Sequence, residues 1–315
     1  MDQQLLDTLR VIALPMKTNF RGISVREVAL VKGSHGWGEF SPFLEYDDAE
    51  SAPWLASAIE AATTLKPQPY RSSVAVNGTI PALNDPKELK AIVDSFPGVK
   101  TFKVKVGSNL AEDLARVNVI RQLQPTAKIR IDVNGLWSVA QAEEFFTSVG
   151  AIEYVEQPCA TIEELRELKA RTSVKIVGDE ILRKAPNPFE IDLSGAIDFL
   201  MLKVQPLGGI QRAHALAAHH NLPVVISSAL ESAVGVNYGL MLAASFKEMN
   251  FDCGLGTGSL LAADVAHLPI VDGKIEISDF EPQLDGLDVA PERFEWWKNR
   301  IMRTAELLKR ITQLR

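Results

Sequence analysis

Residues 129–138 read Ile129-Arg130-Ile131-Asp132-Val133-Asn134-Gly135-Leu136-Trp137-Ser138, a short apolar strand that runs into a carboxylate, an amide and a glycine turn. A charge at the end of a buried strand costs several kcal/mol unless something pairs with it. The same pattern recurs along the chain. Glu156 ends Glu-Tyr-Val-Glu, Asp179 follows Lys-Ile-Val-Gly, and Lys203 ends Phe-Leu-Met-Leu-Lys, at steps of 24, 23 and 24 residues. A single such acid is as readily a helix N-cap as a ligand. Three at consecutive strand ends, followed by a lysine in the same rhythm, point to a site.

Outward from that stretch, strands are expected at Val74–Asn77, Phe102–Val106, Ile129–Val133, Glu153–Glu156, Lys175–Gly178, Phe199–Lys203, Val224–Ser227 and Phe251–Gly254. Helical spacing lies between them, over Asn109–Gln124, Ser138–Ser148, Ile162–Arg171, Gly209–His220 and Val234–Lys247. The helix after Lys175–Gly178 is the least clear, because Pro186 and Pro188 interrupt it. Eight strands alternating with helices argue for a (β/α) barrel over an open doubly wound sheet. An open sheet would alternate too, but would not require charges at four successive strand ends.

The flanks differ in style. Leu9–Pro15 and Val25–Lys32 alternate like antiparallel strands, with Lys17–Ile23 as a polar loop between them and His35–Gly38 as a tight turn. Ala49–Thr64 has helical spacing, with Glu50 in its first turn and Pro67 and Pro69 beyond its end. Asp272–Ile277 reads as a hairpin-like edge, and Pro291–Arg310 as a helix carrying Trp296 and Trp297. The expected organisation is an α+β unit of residues 1–72 with 270–315, and a barrel of residues 73–269.

Composition removes several function classes. The 315 residues are 46% hydrophobic and 23% charged, ordinary for a globular chain with a large core. A net charge of −7 offers no basic field for phosphates, so nucleic acid is not an expected partner. Cys159 and Cys253 are too few for a disulfide framework and read as free thiols of a reducing compartment. No apolar run approaches the roughly 20 residues of a membrane span, and Met1-Asp-Gln-Gln has no basic signal region, so a cytoplasmic location is expected. No coiled coil or partner motif stands out, and a monomer is expected.

In such a barrel, groups at the C-terminal strand ends converge on one rim. Asp132, Glu156 and Asp179 would end the third, fourth and fifth strands there. Three carboxylates without His or Cys partners favour a hard divalent cation, Mg2+ first, with Mn2+ as a substitute. Calcium lacks its Asp-rich loop, and the five histidines lack zinc-ligand spacing. Lys103 and Lys105 flank Val104, so alternation places both on one face, pointing into the mouth if the other face packs on helices. The alternative is a pair of surface lysines with buried stems. Lys203 would stand across the barrel. Opposed ammonium groups over a metal suit proton removal beside a carboxylate, since burial and neighbouring positive charge lower a lysine pKa.

Softer signals surround this set. Ser227 and Ser228 follow the seventh strand and suit a substrate carboxylate or a plain turn. Gly254-Leu-Gly-Thr-Gly-Ser follows the eighth, where barrels bind anions on backbone N–H groups. Asn134 is shared between turn and site. Phe20, Arg21 and Ser41–Tyr46 are placed to reach over the mouth as specificity loops or to serve a structural role.

Lys103-Val-Lys105, Asp132-Val-Asn134, Glu156-Gln-Pro158, Asp179-Glu180 and Lys203 together resemble the muconate-lactonizing subgroup of the enolase superfamily. Within it, Trp37–Tyr46 and Phe20–Glu27 are most similar to the short actinobacterial branch of the o-succinylbenzoate synthase family. The resemblance covers essentially the whole chain. It implies a capping domain made by the N-terminal segment and C-terminal tail over a modified TIM barrel, (β/α)7β. It implies Mg2+ on Asp132, Glu156 and Asp179, Lys105 as base and then acid, Lys103 tuning it, and Lys203 stabilising an enediolate. The implied reaction is syn-dehydration of 2-succinyl-6-hydroxy-2,4-cyclohexadiene-1-carboxylate, a small-molecule carboxylate, in menaquinone synthesis. The capping segment is shorter than in larger members, so specificity-loop residues do not transfer. Lys203 and the serines stand where a racemase of the mandelate type would have its His–Asp dyad. An N-acylamino acid racemase or dipeptide epimerase shares the catalytic residues and remains an alternative, as does a metal-binding scaffold without activity.

Overall fold

The computed structural model describes residues 2–20, 22–107 and 109–313. The chain begins with α1 (Gln3–Leu6), an antiparallel sheet of β1 (Arg10–Phe20), β2 (Ile23–Gly33) and β3 (Gly36–Phe40), and helix α2 (Asp48–Thr63). β1 runs on to Phe20 and β2 starts at Ile23, so most of the polar segment expected as a loop is strand. The tight turn expected over His35–Gly38 likewise gives way to β3 from Gly36 onward. Arg21 lies outside the described residues. Gly38 has no side chain because α2 crosses there, where a Cβ would stand 2.0 Å from Ala58 O.

Then come β4 (Ser73–Ala75), β5 (Gly78–Ile80), α3 (Pro86–Asp94), β6 (Thr101–Lys105), α4 (Leu110–Leu123), β7 (Lys128–Asp132) and α5 (Val139–Val149). They are followed by β8 (Tyr154–Glu156), α6 (Ile162–Arg171), β9 (Ile176–Gly178), α7 (Glu180–Arg183), β10 (Phe199–Lys203), α8 (Ile210–His220), β11 (Val224–Ser227) and α9 (Ala233–Ala244). A 3-10 turn (Gly256–Leu260), β12 (Lys274–Glu276) and the long helix α10 (Pro291–Gln313) complete the chain. Strands β5 to β11 form one parallel sheet of seven strands in sequence order, curled into the wall of a barrel beneath its N-terminal cap.

Two expected strands take another form. The run Val74–Asn77 is split: β4 pairs antiparallel with β12, and the barrel's first strand is β5, a few residues later. Phe251–Gly254 forms no extended strand. Its backbone closes the ring through single bridges, Val76 with Cys253 and Ser227 with Gly254. Cys253 N donates to Ala75 O at 2.7 Å and Gly254 N to Ile226 O at 2.8 Å.

The helices start where the sequence caps them. Ser138 with Gln141 and Thr161 with Glu164 form capping boxes, and Asn109 accepts from the N–H groups of Ala111 and Glu112. Val104, Ile131 and Val155 turn outward against these helices and are fully buried. Below the mouth, the barrel interior is floored by Tyr154, Val177, Met201 and Val225, with the Arg130 guanidinium 4.7 Å from the Tyr154 ring centroid.

The tail returns to the first segment. Trp297 Nε1 and Arg293 Nε donate to Glu27 Oε2 at 2.6 and 2.7 Å, Phe40 meets Trp297 edge-on, and α10 packs on α2. Arg26 Nε donates to Leu230 O at 2.9 Å, joining this segment to the loop after β11.

Candidate active site

Strand register builds the site. Lys105 is the partner of Asp132 on the neighbouring strand, Asp132 of Glu156, and Lys203 of Ser227. Lys105, Asp132 and Glu156 therefore stand side by side on the rim, and Lys203 meets the acids from further along its own strand. Lys103 Nζ lies 2.7 Å from Glu156 Oε2 and 3.1 Å from Asp132 Oδ2. Lys105 Nζ lies 2.7 Å from Asp132 Oδ2 and donates to Asn134 Oδ1 at 2.6 Å. Lys203 Nζ stands 2.6 Å from Asp179 Oδ2 and 3.7 Å from Glu156 Oε1. Both lysines of β6 face the mouth, and neither is a surface side chain.

Asp179 is the N-cap residue of α7, yet its side chain makes no capping bond. Its carboxylate turns instead to Lys203 and to Arg183, whose Nε is 3.2 Å from both oxygens. Gln157 holds this corner: its Oε1 accepts from the N–H groups of Asp179 and Ile181 at 3.0 and 3.1 Å. Asn134 and Gln157 have φ of +55° and +40°, so the backbone turns left-handed within two residues of Asp132 and just after Glu156. Such conformations cost of order 1–3 kcal/mol and persist only where the surroundings over-determine them.

The charges are unevenly tuned. Burial opposes ionisation of Asp132, but Lys103, Lys105 and Lys203 outweigh it and hold its carboxyl well below the usual range. Asp179 behaves likewise, with Lys203 and Arg183 overcoming burial. Burial and the nearby Asp132 push Glu156 up. The two β6 lysines diverge. Burial disfavours the charged form of both, yet Asp132 and Glu156 hold Lys103 above its ordinary value, whereas Lys105, with Lys103 repelling it, falls below.

Lys103, Lys105, Asp132 and Lys203 line a narrow cavity with Phe20, Phe43, Thr79 and Arg183, while Glu156 and Asp179 stand behind these lysines. Asn134, Ser227, Ser228, Gly254 and Thr257 line it too. Ser228 Oγ donates to Gly254 O at 2.9 Å and shares a 2.8 Å bond with Thr257 Oγ1. Ser227 Oγ has only a longer bond to the same carbonyl, at 3.4 Å. Phe20 lies 5.8 Å from Lys105 Nζ, a wall supplied by the capping segment. Arg183 and Thr79 escape sequence reasoning, whereas Phe43 and Thr257 fall within the expected Ser41–Tyr46 and Gly254–Ser259 stretches. Thr79 is hidden by the misplaced first strand; the placement of Arg183 four residues after Asp179 was the available signal. A larger cleft of about 720 Å³ lies elsewhere, and its charged groups are only Lys17, Asp264 and His267.

Among the described residues no three acids, histidines or cysteines form a ready-made metal cage, because the lysines lean between the carboxylates. The donor set nevertheless fits a divalent cation. Asp132 Oδ1 and Glu156 Oε1 are buried acceptors without any hydrogen-bond partner. Four carboxylates, Asp132, Glu156, Asp179 and Glu180, face four cations, Lys103, Lys105, Lys203 and Arg183. A divalent cation arriving with a dicarboxylate leaves that balance unchanged.

Residues 11–62 match the family described as enolase N-terminal domain-like, and residues 88–289 the one described as enolase C-terminal domain-like. The o-succinylbenzoate synthase of Mycobacterium ulcerans is 48% identical over 316 aligned positions, covering 97% of this chain and 96% of that protein. The chain belongs to the o-succinylbenzoate synthase family. Like other members of this family, it is an enzyme of the enolase superfamily. Two solved structures share the fold. Muconate lactonizing enzyme from Pseudomonas putida superposes with a TM-score of 0.71 at 20% identity, over 91% of this chain and 97% of that one. Dipeptide epimerase from Enterococcus faecalis, complexed with Mg and the dipeptide L-Leu-L-Tyr, gives 0.71 at 19% identity, over 89% and 98%.

Proposed function

We propose that this o-succinylbenzoate synthase family member dehydrates 2-succinyl-6-hydroxy-2,4-cyclohexadiene-1-carboxylate to 2-succinylbenzoate in menaquinone synthesis. The observation that carries the reading is the divergence of the lysines around one row of acids. Lys105 is depressed at the mouth, Lys103 is locked between two carboxylates, and Lys203 stands on the Asp179 side. We assign the capping unit to residues 1–72 with 270–315 and the barrel to residues 73–269.

Asp132, Glu156 and Asp179 would hold Mg2+, or Mn2+ in its place, with the lysines releasing their oxygens. The bound cation supplies fixed positive charge against the negative charge that develops on the substrate carboxylate. Lys105 Nζ, in its neutral form, takes the proton from the ring carbon bearing that carboxylate. The same ammonium then protonates the departing hydroxyl, so one C–H and one C–O bond break, water leaves and the ring becomes aromatic. A single group serves both steps because both lie on one face of the ring. Lys203 Nζ faces the developing charge from the other side as a cation, and Lys103 keeps Lys105 depressed by repulsion. Phe20 and Phe43 exclude water. Ser227, Ser228, Gly254 and Asn134 supply the remaining polar contacts.

The racemase and epimerase alternative rests on fold likeness at about one-fifth identity, while the family match spans the full chain. We further propose a monomeric cytoplasmic enzyme that binds neither nucleic acid nor membrane. The net charge of −7 and two buried free thiols support this, and among the described residues no helix is long and apolar enough to cross a membrane. Sizing chromatography tests the monomer. The reaction is tested by following loss of the cyclohexadiene absorbance on mixing with protein and Mg2+. Rapid turnover of N-succinylamino acids with that substrate left untouched would remove the assignment.

A further inference from the structure

One set of contacts around the site joins groups from four separate parts of the chain. Arg183, on the single-turn helix after Asp179, is almost wholly buried, with its side chain 6% exposed. Its guanidinium is divided among three acceptors. Nε faces both oxygens of Asp179 at 3.2 Å, Nη2 donates to Glu180 Oε1 at 2.6 Å, and Nη1 donates to the hydroxyl of Tyr46 at 3.1 Å. Glu180 Oε1 also accepts from Asn134 Nδ2 at 3.0 Å, and Asn134 Oδ1 accepts from Lys105 Nζ at 2.6 Å. A continuous chain therefore runs Tyr46–Arg183–Glu180–Asn134–Lys105, with a branch to Asp179.

Tyr46 belongs to the segment between β3 and α2, in the cap. Its ring is set edge-on against Phe43 and Trp54, with centroids 5.6 and 6.2 Å away. Arg300 of α10 donates to the carbonyls of Phe43 and Tyr46, at 3.0 and 2.7 Å, fixing the backbone of the same segment. Phe43 in turn lines the cavity. The position of this wall and the aim of the barrel's polar groups thus meet at one guanidinium.

We propose that Arg183 is a positioning residue that couples the capping segment, through Tyr46, to the carboxylate of Asp179 and to Lys105. The inference rests on the reading of Asp179 as a metal ligand and Lys105 as the base. The physical reason lies in sharing. A planar fork with fixed donor directions satisfies three acceptors only if all three are in place. When the Tyr46 hydroxyl withdraws, the Arg183 Nη1–H that it accepted from is left to seek Asp179. The guanidinium then holds that carboxylate more tightly against a cation and drags Glu180, and with it Asn134, away from Lys105.

The test is a double-mutant cycle on the full-length protein with Tyr46→Phe and Arg183→Lys. Tyr46→Phe removes one oxygen and keeps the ring packing, while Arg183→Lys keeps the charge and loses the fork. Tyr46→Phe is expected to lower kcat about fivefold and weaken Mn2+ binding about threefold, on the scale of coupled neighbours. In the Arg183→Lys background the same change is expected to alter either quantity by less than about twofold. Mn2+ affinity, read by electron paramagnetic resonance, requires no turnover. Coupling in Mn2+ affinity without dehydration would sink the proposed reaction and leave the positioning role standing. Normal dehydration with effects that multiply across the cycle, or a Tyr46→Phe protein of wild-type kcat and Mn2+ affinity, overturns the positioning role. If Arg183→Lys fails to fold by circular dichroism, Glu180→Gln takes its place, cutting the chain at the next link with the same expectation. A merely structural contribution would lower Tm and leave KM and the Mn2+ affinity of the folded protein where they were.

Discussion

Lys105 and Asp132 are register partners at the ends of β6 and β7, and their charged atoms meet at 2.7 Å. The group proposed to move the proton and a group proposed to hold the metal are thus fixed by the same backbone hydrogen bonds. Neither depends on a mobile loop for its place. The pairing also sets their electrostatics against each other, since Asp132 favours the charged form of Lys105 while burial and Lys103 disfavour it. Of the two acids that favour the charged form of Lys105, Asp132 and Glu156, Asp132 acts the more strongly, so a cation that drew its carboxylate away would weaken that support.

Lys105→Ala is expected to lower kcat by about 10²–10⁴-fold, the usual worth of a positioned acid–base group. Mn2+ binding should persist, because Lys105 is no ligand. Lys203→Ala should cost about 10²–10³-fold in kcat with little change in KM, the signature of charge stabilised only as it develops. Steady-state kinetics at saturating Mg2+ checks both, and near-normal turnover in either variant removes that lysine's role.

Asp179→Asn should weaken Mg2+ binding in titration calorimetry. In metal-free buffer it should also destabilise the fold, by up to about 3–5 kcal/mol, because Lys203 would keep only its longer contact with Glu156 and Arg183 only Glu180. Urea unfolding in the presence of chelator measures this, and an unchanged midpoint would show that the ion pairs have other acceptors.

Glu231 carries a pH dependence away from the metal ligands. Burial first, and then the nearby Glu39, raise its carboxyl to about 7, while one oxygen has no partner and the other accepts from Ala229 N at 2.7 Å. A carboxyl whose folded pKa exceeds its unfolded one binds more protons when folded, so stability falls as pH rises from the unfolded value through about 7. Glu231→Gln should abolish that loss. Relative to wild type, the variant should gain stability between pH 5 and pH 8 by up to about 3 kcal/mol, from a shift worth 1.36 kcal/mol per unit. A constant difference across that range would contradict the assignment.

Gly38→Ala tests the cap. The added methyl meets the backbone of α2 at Ala58, which has no flexible end to yield. A loss of about 1–3 kcal/mol is expected, as for overpacked cores, read as a lower Tm.

Much of this was legible in the chain. Asp132, Glu156, Asp179 and Lys203 announced themselves because a charge ending an apolar strand is costly anywhere except at a site, and their spacing matched one βα repeat. Lys103 and Lys105 followed from alternation. The first and last barrel strands were misplaced for a common reason. Val74–Ala75 and Phe251–Cys253 are apolar enough for strands, but apolar content does not say which neighbour the backbone will bond. Val74 pairs with the tail strand β12, and Cys253 closes the ring through single bridges. Phe20 reaches the cavity from a strand instead of the expected loop, since a bulky aromatic can wall a cavity from either conformation.

The sequence by itself determined the barrel, its acids and its lysines, because periodicity and buried charge are local properties written residue by residue. Tertiary structure alone decided how those charges differ. Lys103 and Lys105 are two residues apart on one strand face, yet only the first lies between two carboxylates, and that placement depends on the register of β7 and β8. Tertiary structure also decided that Tyr46, Arg183 and Asp179 would meet. The first and last are 133 residues apart, and no spacing rule relates them. Their contact exists because the cap, folded from both ends of the chain, comes to rest on the rim of the barrel.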